Sequence, residues 1–123
     1  MDNKNYNLLN VGVRGQDVII TVQIIVWAAL KGNYEVHATE THGMAQRGGS
    51  MTSFVRFGTK VEGPLIPRGQ ADVILAFEVG EALRKSDYAG PSTLFLINEQ
   101  ILIPSIVNKV SHNYPTIKEL KIF

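Results

Sequence analysis

Apolar residues in this chain gather into short runs separated by glycine, proline and polar clusters, and the spacing of those runs predicts the elements. Tyr6 to Gly12 reads as a strand running into a glycine turn. Gln16 to Lys31 carries two opposed signals. Eight of the nine residues from Val18 to Val26 are β-branched, which favours a strand. The stretch is long for a strand, however, and Asp17 and Gly32 stand where helix caps would, with Gly32 suited to the left-handed residue past a helix end. The residues alone leave the two readings level. Tyr34 to Thr41 and Ser50 to Gly58 read as strands around a glycine-rich loop from His42 to Gly49. Val61 to Gln70, with Pro64, Pro67 and Gly69, is an irregular connection. Ala71 to Phe77 predicts a strand, Glu78 to Ser86 a short helix with Glu78 and Glu81 complementing its dipole, and Thr93 to Ile97 a buried strand. Strands alternating with helices, several apolar on both faces, predict one α/β domain over residues 1–123 with a mainly parallel, or mixed, sheet.

Composition narrows the function classes. The 123 residues are 45% hydrophobic and 19% charged with a net charge of +1, an ordinary globular balance with no basic stripe for nucleic acid and no polybasic run for a membrane surface. The chain has no cysteine, which excludes a thiolate nucleophile, a Cys-type zinc site and Cys-ligated iron–sulfur clusters within it. The most apolar stretch, Val18 to Leu30, is interrupted by Thr21 and Gln23 and falls short of the roughly 20 residues of a membrane span. The polar start, Met1 to Asn10, lacks the order of a signal peptide. These features together predict a soluble, cytoplasmic protein.

Two segments carry candidate chemistry. In the turn Gly12-Val13-Arg14-Gly15-Gln16-Asp17, backbone N–H groups of Gly12, Arg14, Gly15 and Gln16 could hold an anion at a helix N-terminus. The glycine spacing is not the dinucleotide pattern, and Asp17 repels a phosphate, so a self-neutralised structural turn is the competing reading. The loop His42-Gly43-Met44-Ala45-Gln46-Arg47-Gly48-Gly49-Ser50 combines permissive glycines with Arg47, which can fork onto a carboxylate or phosphate; a plain strand connection is its alternative. Glu40 and His42 share a strand face, as an acid–base pair would, yet no substrate is implied by spacing alone. His37, His42 and His112 lack zinc spacing. No catalytic residue and no metal site is expected in the chain.

With these residues in view, the loop from His42 to Ser50, followed by Arg56-Phe57-Gly58, resembles the gamma-type module of 2-oxoacid:ferredoxin oxidoreductases, closest to those of the indolepyruvate and pyruvate enzymes. Further matches follow in the same order: Pro64-Leu65-Ile66-Pro67, Ala71-Asp72-Val73, Phe77-Glu78, Glu81-Ala82-Leu83-Arg84, and Ile97-Asn98 with Pro104. The resemblance runs from Asn10 to about Pro115. It implies a three-layer α/β/α module and turns Gln16 to Lys31 into a buried helix.

What the resemblance implies for function is a non-catalytic part of an enzyme that oxidatively decarboxylates 2-oxoacids to acyl-CoA. Thiamine diphosphate and iron–sulfur clusters are then expected in a partner subunit, with ferredoxin as the eventual electron acceptor. Residues His42 to Ser50 are expected to face the partner or CoA. Alternatives are a stand-alone module binding CoA or a nucleotide, and a structural paralogue that self-associates as a homodimer. There are two departures from the family pattern. Arg14 and Asp17 stand where the family usually has glycine, which puts an anion site at that turn in question, and a further strand and helix are expected beyond a segment like Asn113-Tyr114-Pro115.

Overall fold

The structure, a computed structural model, describes residues 4–13, 17–42 and 50–99. Along the chain come β1 (Tyr6–Val13), α1 (Val18–Lys31), β2 (Glu35–His42), β3 (Ser50–Gly58), β4 (Ala71–Ala76), α2 (Val79–Arg84), a 3-10 turn (Ser86–Tyr88) and β5 (Ala89–Ile97). The strands form one sheet in the order β2-β3-β1-β4-β5. The sheet is mixed. β2 and β3 are joined by a short connection, so they can pair only antiparallel, and β3 runs antiparallel to β1 as well. β4 and β5 follow longer crossovers and run parallel to β1 and to each other. With α1 on one face and α2 on the other, the layers are α/β/α.

Strand alternation sends Leu9 and Val11 of β1, Phe54 of β3 and Ile74 and Ala76 of β4 to the α2 face, where Ile66 and Ala82 close the main core. Phe54 meets Tyr88 edge-on at 5.6 Å. On the other face Met51 and Val55 pack under Val18 and Val22 of α1, with Ile25, Val26, Val36 and Phe57 around them.

That packing explains why the β-branched run is a helix. Val18, Val22, Ile25, Val26 and Ala29 recur at helical spacing and meet the sheet together, so tertiary burial outweighs a local penalty of a few tenths of a kcal/mol per residue. The caps differ from expectation. Asp17 occupies the N-cap position, but its side chain makes no capping bond; its carbonyl accepts from both Thr21 N and Thr21 Oγ1, at 3.1 and 2.8 Å. At the other end Gly32 keeps φ −82°, and the left-handed residue is Asn33, φ 63°. Asn33 N reaches Leu30 O and Tyr34 N reaches Ala29 O, the paired bonds of a Schellman closure one residue later than the sequence places it.

Two further expectations change. The helix is buried on one side only: Ile20, Ile24 and Trp27 are 56%, 63% and 65% exposed. The last described strand is longer than predicted and, among the described residues, lies at an edge of the sheet with its side chains largely exposed. α1 lies over β1, β2 and β3, so Leu94 and Leu96 stay exposed on β5. Gly90, the second residue of β5, lies so close to Gly69 that a Cβ there would collide with the Gly69 carbonyl oxygen. No described helix is long and apolar enough to cross a membrane.

Candidate functional site at the carboxyl edge of the sheet

The register brings the strand ends that flank both candidate segments to one edge. Val13 of β1 pairs with Ser50 of β3, and His42 of β2 with Met51, so the chain leaves β1 and passes from β2 to β3 at the same end of the sheet. β4 and β5 end there too, because Val11 pairs with Ala76 and Ala76 with Ile97. Phe77 N donates to Val11 O and Asn98 N to Ala76 O, both at 2.9 Å, which extends the ladder to the rim. β1 feeds α1 on one face and its parallel neighbour β4 feeds α2 on the other. Such a divergence opens a crevice between the two strand ends, the usual ligand position in open α/β sheets.

The best-defined chemistry on this edge comes from α2. Glu78 is extended, φ −151° and ψ 139°, and its Oε1 accepts Glu81 N at 2.9 Å, so it caps the helix. The first turn of α2 then drives Glu81 under the edge, and both glutamates are fully buried. Glu81 Oε1 accepts three bonds: Ser50 Oγ at 2.9 Å, and Arg84 Nε and Nη2 at 3.0 and 2.7 Å. Arg84 follows by three residues and so lies on the same helix side, with its side chain 38% exposed. A buried carboxylate is thus matched to a cation that reaches solvent, and the glycine-rich loop is anchored on α2 where it enters β3.

Two buried acceptors remain without a hydrogen bond here, Glu81 Oε2 and Asn10 Oδ1. Asn10 is fully buried in β1, its Nδ2 reaching Ser53 O at 3.5 Å. Both atoms are buried, so neither is presented to solvent at the described part of the edge. Glu78 already satisfies the start of α2, so an anion gains little at that helix end.

Of the predicted residues, the structure describes Gly12, His42 and Ser50. Gly12 is buried inside β1, opposite Met51, and belongs to the strand instead of the turn. Ser50 opens β3 and bonds Glu81. His42 ends β2, two positions after Glu40. Arg14, Gly15 and Gln16, and the loop residues Gly43, Met44, Ala45, Gln46, Arg47, Gly48 and Gly49, lie outside the described residues. Among the described residues no group of three His, Asp or Glu side chains could hold a metal ion. Sequence reading gave Glu78 and Glu81 only a dipole role. The signal for more was there: two carboxylates three apart, between the apolar run of β4 and Ala82-Leu83, have no room to face water.

The model of the pyruvate ferredoxin/flavodoxin oxidoreductase family matches residues 7–122. The chain belongs to that family. Indolepyruvate oxidoreductase subunit IorB of Pyrococcus horikoshii is 42% identical over 118 residues, which cover 96% of this chain and 58% of that subunit. This chain thus spans little more than half of the relative's length. Among solved structures, 2-oxoglutarate:ferredoxin oxidoreductase from Magnetococcus marinus, with 2-oxoglutarate, coenzyme A and succinyl-CoA bound, superposes with a TM-score of 0.67 at 22% identity, over 80% of this chain and 17% of that one. Pyruvate oxidoreductase subunit PORC from Thermotoga maritima gives 0.59 at 24%, over 86% of this chain and 56% of that one. At those identities the likeness is one of fold. It bears out the α/β/α architecture, while the family match and the IorB relative bear out the family resemblance read from the loop and the motifs after it.

Proposed function

We propose that this chain is the gamma-type, non-catalytic part of a 2-oxoacid:ferredoxin oxidoreductase acting on indolepyruvate- or pyruvate-type substrates. Its carboxyl edge, where β1 ends at Val13 and β2 passes to β3, faces the partner subunit and CoA, with His42 to Ser50 and Arg14 to Gln16 as the contact segments. The observation that supports this reading is that Val13, His42 and Ser50, the strand ends flanking both segments, lie on one rim, beside the switch point between β1 and β4.

Oxidative decarboxylation of a 2-oxoacid needs an electron sink for the carbanion and a route for two electrons. Thiamine diphosphate and iron–sulfur clusters supply these in such enzymes. The chain has no cysteine to ligate a cluster, so it does not fit that group, and the redox centres belong to a partner. The work left to this chain is positional. Glu81 fixes Ser50, and through it the foot of the loop, while Arg47 supplies a fork for a CoA phosphate.

The test is co-expression of the tagged chain with a thiamine- and cluster-binding subunit from the same genome. Co-purification, with CoA-dependent reduction of ferredoxin by indolepyruvate, supports the reading. Recovery of the chain without such a subunit overturns it. In the assembled enzyme Arg47→Ala is expected to raise the KM for CoA about tenfold with kcat kept, the loss of ~1.4 kcal/mol of uniform binding. An unchanged KM removes the CoA contact from the proposal.

A further inference from the structure

The outward side of α1 is an apolar seam with a charge at each end. Asp17, Ile20, Ile24, Trp27 and Lys31 follow one another at spacings of three, four, three and four. On a helix that spacing places all five on one stripe, the pattern of helices that pair with other helices. The stripe faces away from the sheet: Val18, Val22 and Ala29 are buried against it, while Ile20, Ile24 and Trp27 are more than half exposed. Leu30 (54%) and Ile19 (45%) widen the patch on one flank, and Thr21 and Ala28 keep the other flank small. The seam carries no charge between its ends.

The exposed parts of these five apolar side chains come to roughly 500 Å², taking about 150–250 Å² for a whole large side chain. That is the upper end of the largest apolar patch on an ordinary monomer, ~300–600 Å². A stable two-chain interface takes about 800 Å² from each side. The seam supplies most of that, and Asp17, Gln23, Ala28 and Lys31 around it supply the rim.

We propose that α1 pairs antiparallel with α1 of a second copy of this chain, crossing on a two-fold axis at Ile24. The charge pattern selects this occupant. Ile24 is the midpoint of the stripe, so a two-fold axis there sets Asp17 of each copy against Lys31 of the other, and Ile20 beside Trp27. The ends are about 20 Å apart along the helix, and a shallow crossing of about 20° keeps both within reach. A parallel pair would instead bring Asp17 to Asp17 and Lys31 to Lys31. A two-fold contact of this kind is closed and uses the same patch twice. It requires no partner subunit, so it stands or falls apart from the function proposed above.

Sedimentation velocity of the full chain reads the result directly. A dimer is expected in micromolar solution; Ile24→Glu is expected to give a monomer of unchanged circular dichroism. Lys31→Glu alone is expected to weaken the dimer about tenfold, and Asp17→Lys with Lys31→Glu to restore it, since the pair is then reversed. The chain has no native thiol, so Ile24→Cys is expected to form an intermolecular disulfide with diamide, and Ile19→Cys, off the axis, is not. A monomer at all concentrations overturns the proposal. So does a dimer that the double reversal fails to restore, or an α1 that is covered only when a different subunit is bound.

Discussion

The two ends of the sheet are built to different standards. At the amino edge the side chains are tied to one another. Asn7 N donates to Asp72 at 2.8 Å, Asn7 Nδ2 to Gln70 O at 2.9 Å, and Asn7 Oδ1 accepts Arg56 Nε at 2.9 Å. Arg56 goes on to the carbonyls of Leu65 and Gly63, at 3.1 and 3.4 Å, and so pins the irregular connection to β3. Glu35 accepts Val61 N at 3.1 Å and holds the far side of that connection. One acceptor there, Asn5 Oδ1, is left over. At the carboxyl edge the two leftover acceptors, Asn10 Oδ1 and Glu81 Oε2, belong to fully buried side chains, where an unmet bond costs most. The lesson is that the described amino edge ties its side chains to one another, while the described carboxyl edge keeps two fully buried acceptors without a hydrogen bond.

Mutations can break or sharpen that contrast. The largest effect is expected at the amino edge. Arg56→Ala removes three hydrogen bonds from one cation and is expected to lower unfolding free energy by about 2–3 kcal/mol in urea titration. A loss under ~0.5 kcal/mol would show the amino edge to be ordinary surface. Glu81→Ala is expected to cost less in the isolated chain, about 1–2 kcal/mol, because the exposed Arg84 regains water. In the assembled enzyme the same change is expected to lower kcat/KM for CoA further than Arg56→Ala does. Equal effects of the two would erase the distinction between the ends.

Smaller effects refine the picture. Asn33→Ala places a Cβ-bearing residue without a locally bonding side chain in the left-handed region and is expected to cost about 1 kcal/mol; Asn33→Gly is expected to be neutral or stabilising. Thermal melts of the two side by side decide whether Asn33, and not Gly32, closes α1. The smallest effect concerns pH. The Val61 N–H, then His37 and Lys60, hold the Glu35 carboxyl below the ordinary glutamate range. A depressed folded-state pKa stabilises the fold above the unfolded value and loses that contribution as pH falls through the folded value. Glu35→Gln should therefore lower stability slightly near neutrality, where the contribution is fully present, and make no difference in stronger acid, so that the acid side of the profile flattens. A difference that grows as the pH falls would contradict this assignment.

Much of this was legible in the chain. Ser50 to Gly58 is a strand with the bounds its composition predicts, and β1, β2 and β4 are displaced by a residue at most. The loop from His42 to Ser50 identified the family without coordinates, because its glycines and Arg47 follow one another too specifically for an ordinary turn. Other features misled. Gly32 looked like the left-handed residue, but a helix stops where its last carbonyls find donors, and Tyr34 N and Asn33 N set that point. Thr93 to Ile97 looked buried because its residues are apolar; apolarity does not say which strand lies at an edge.

By itself the sequence determined most of the strands, the lack of a cysteine that could ligate a cluster, and the family, since each depends on local pattern or on residues that are simply present or missing. Only the tertiary structure decided that Val13, His42 and Ser50, the strand ends flanking the two glycine segments, share a rim, that Glu81 lies buried beneath Ser50, and that α1 turns one apolar side outward. Those facts depend on strand order and register, which bring together residues such as Ser50 and Glu81 that are far apart in the chain. No local signal encodes that pairing, because its free energy comes from burying many side chains at once.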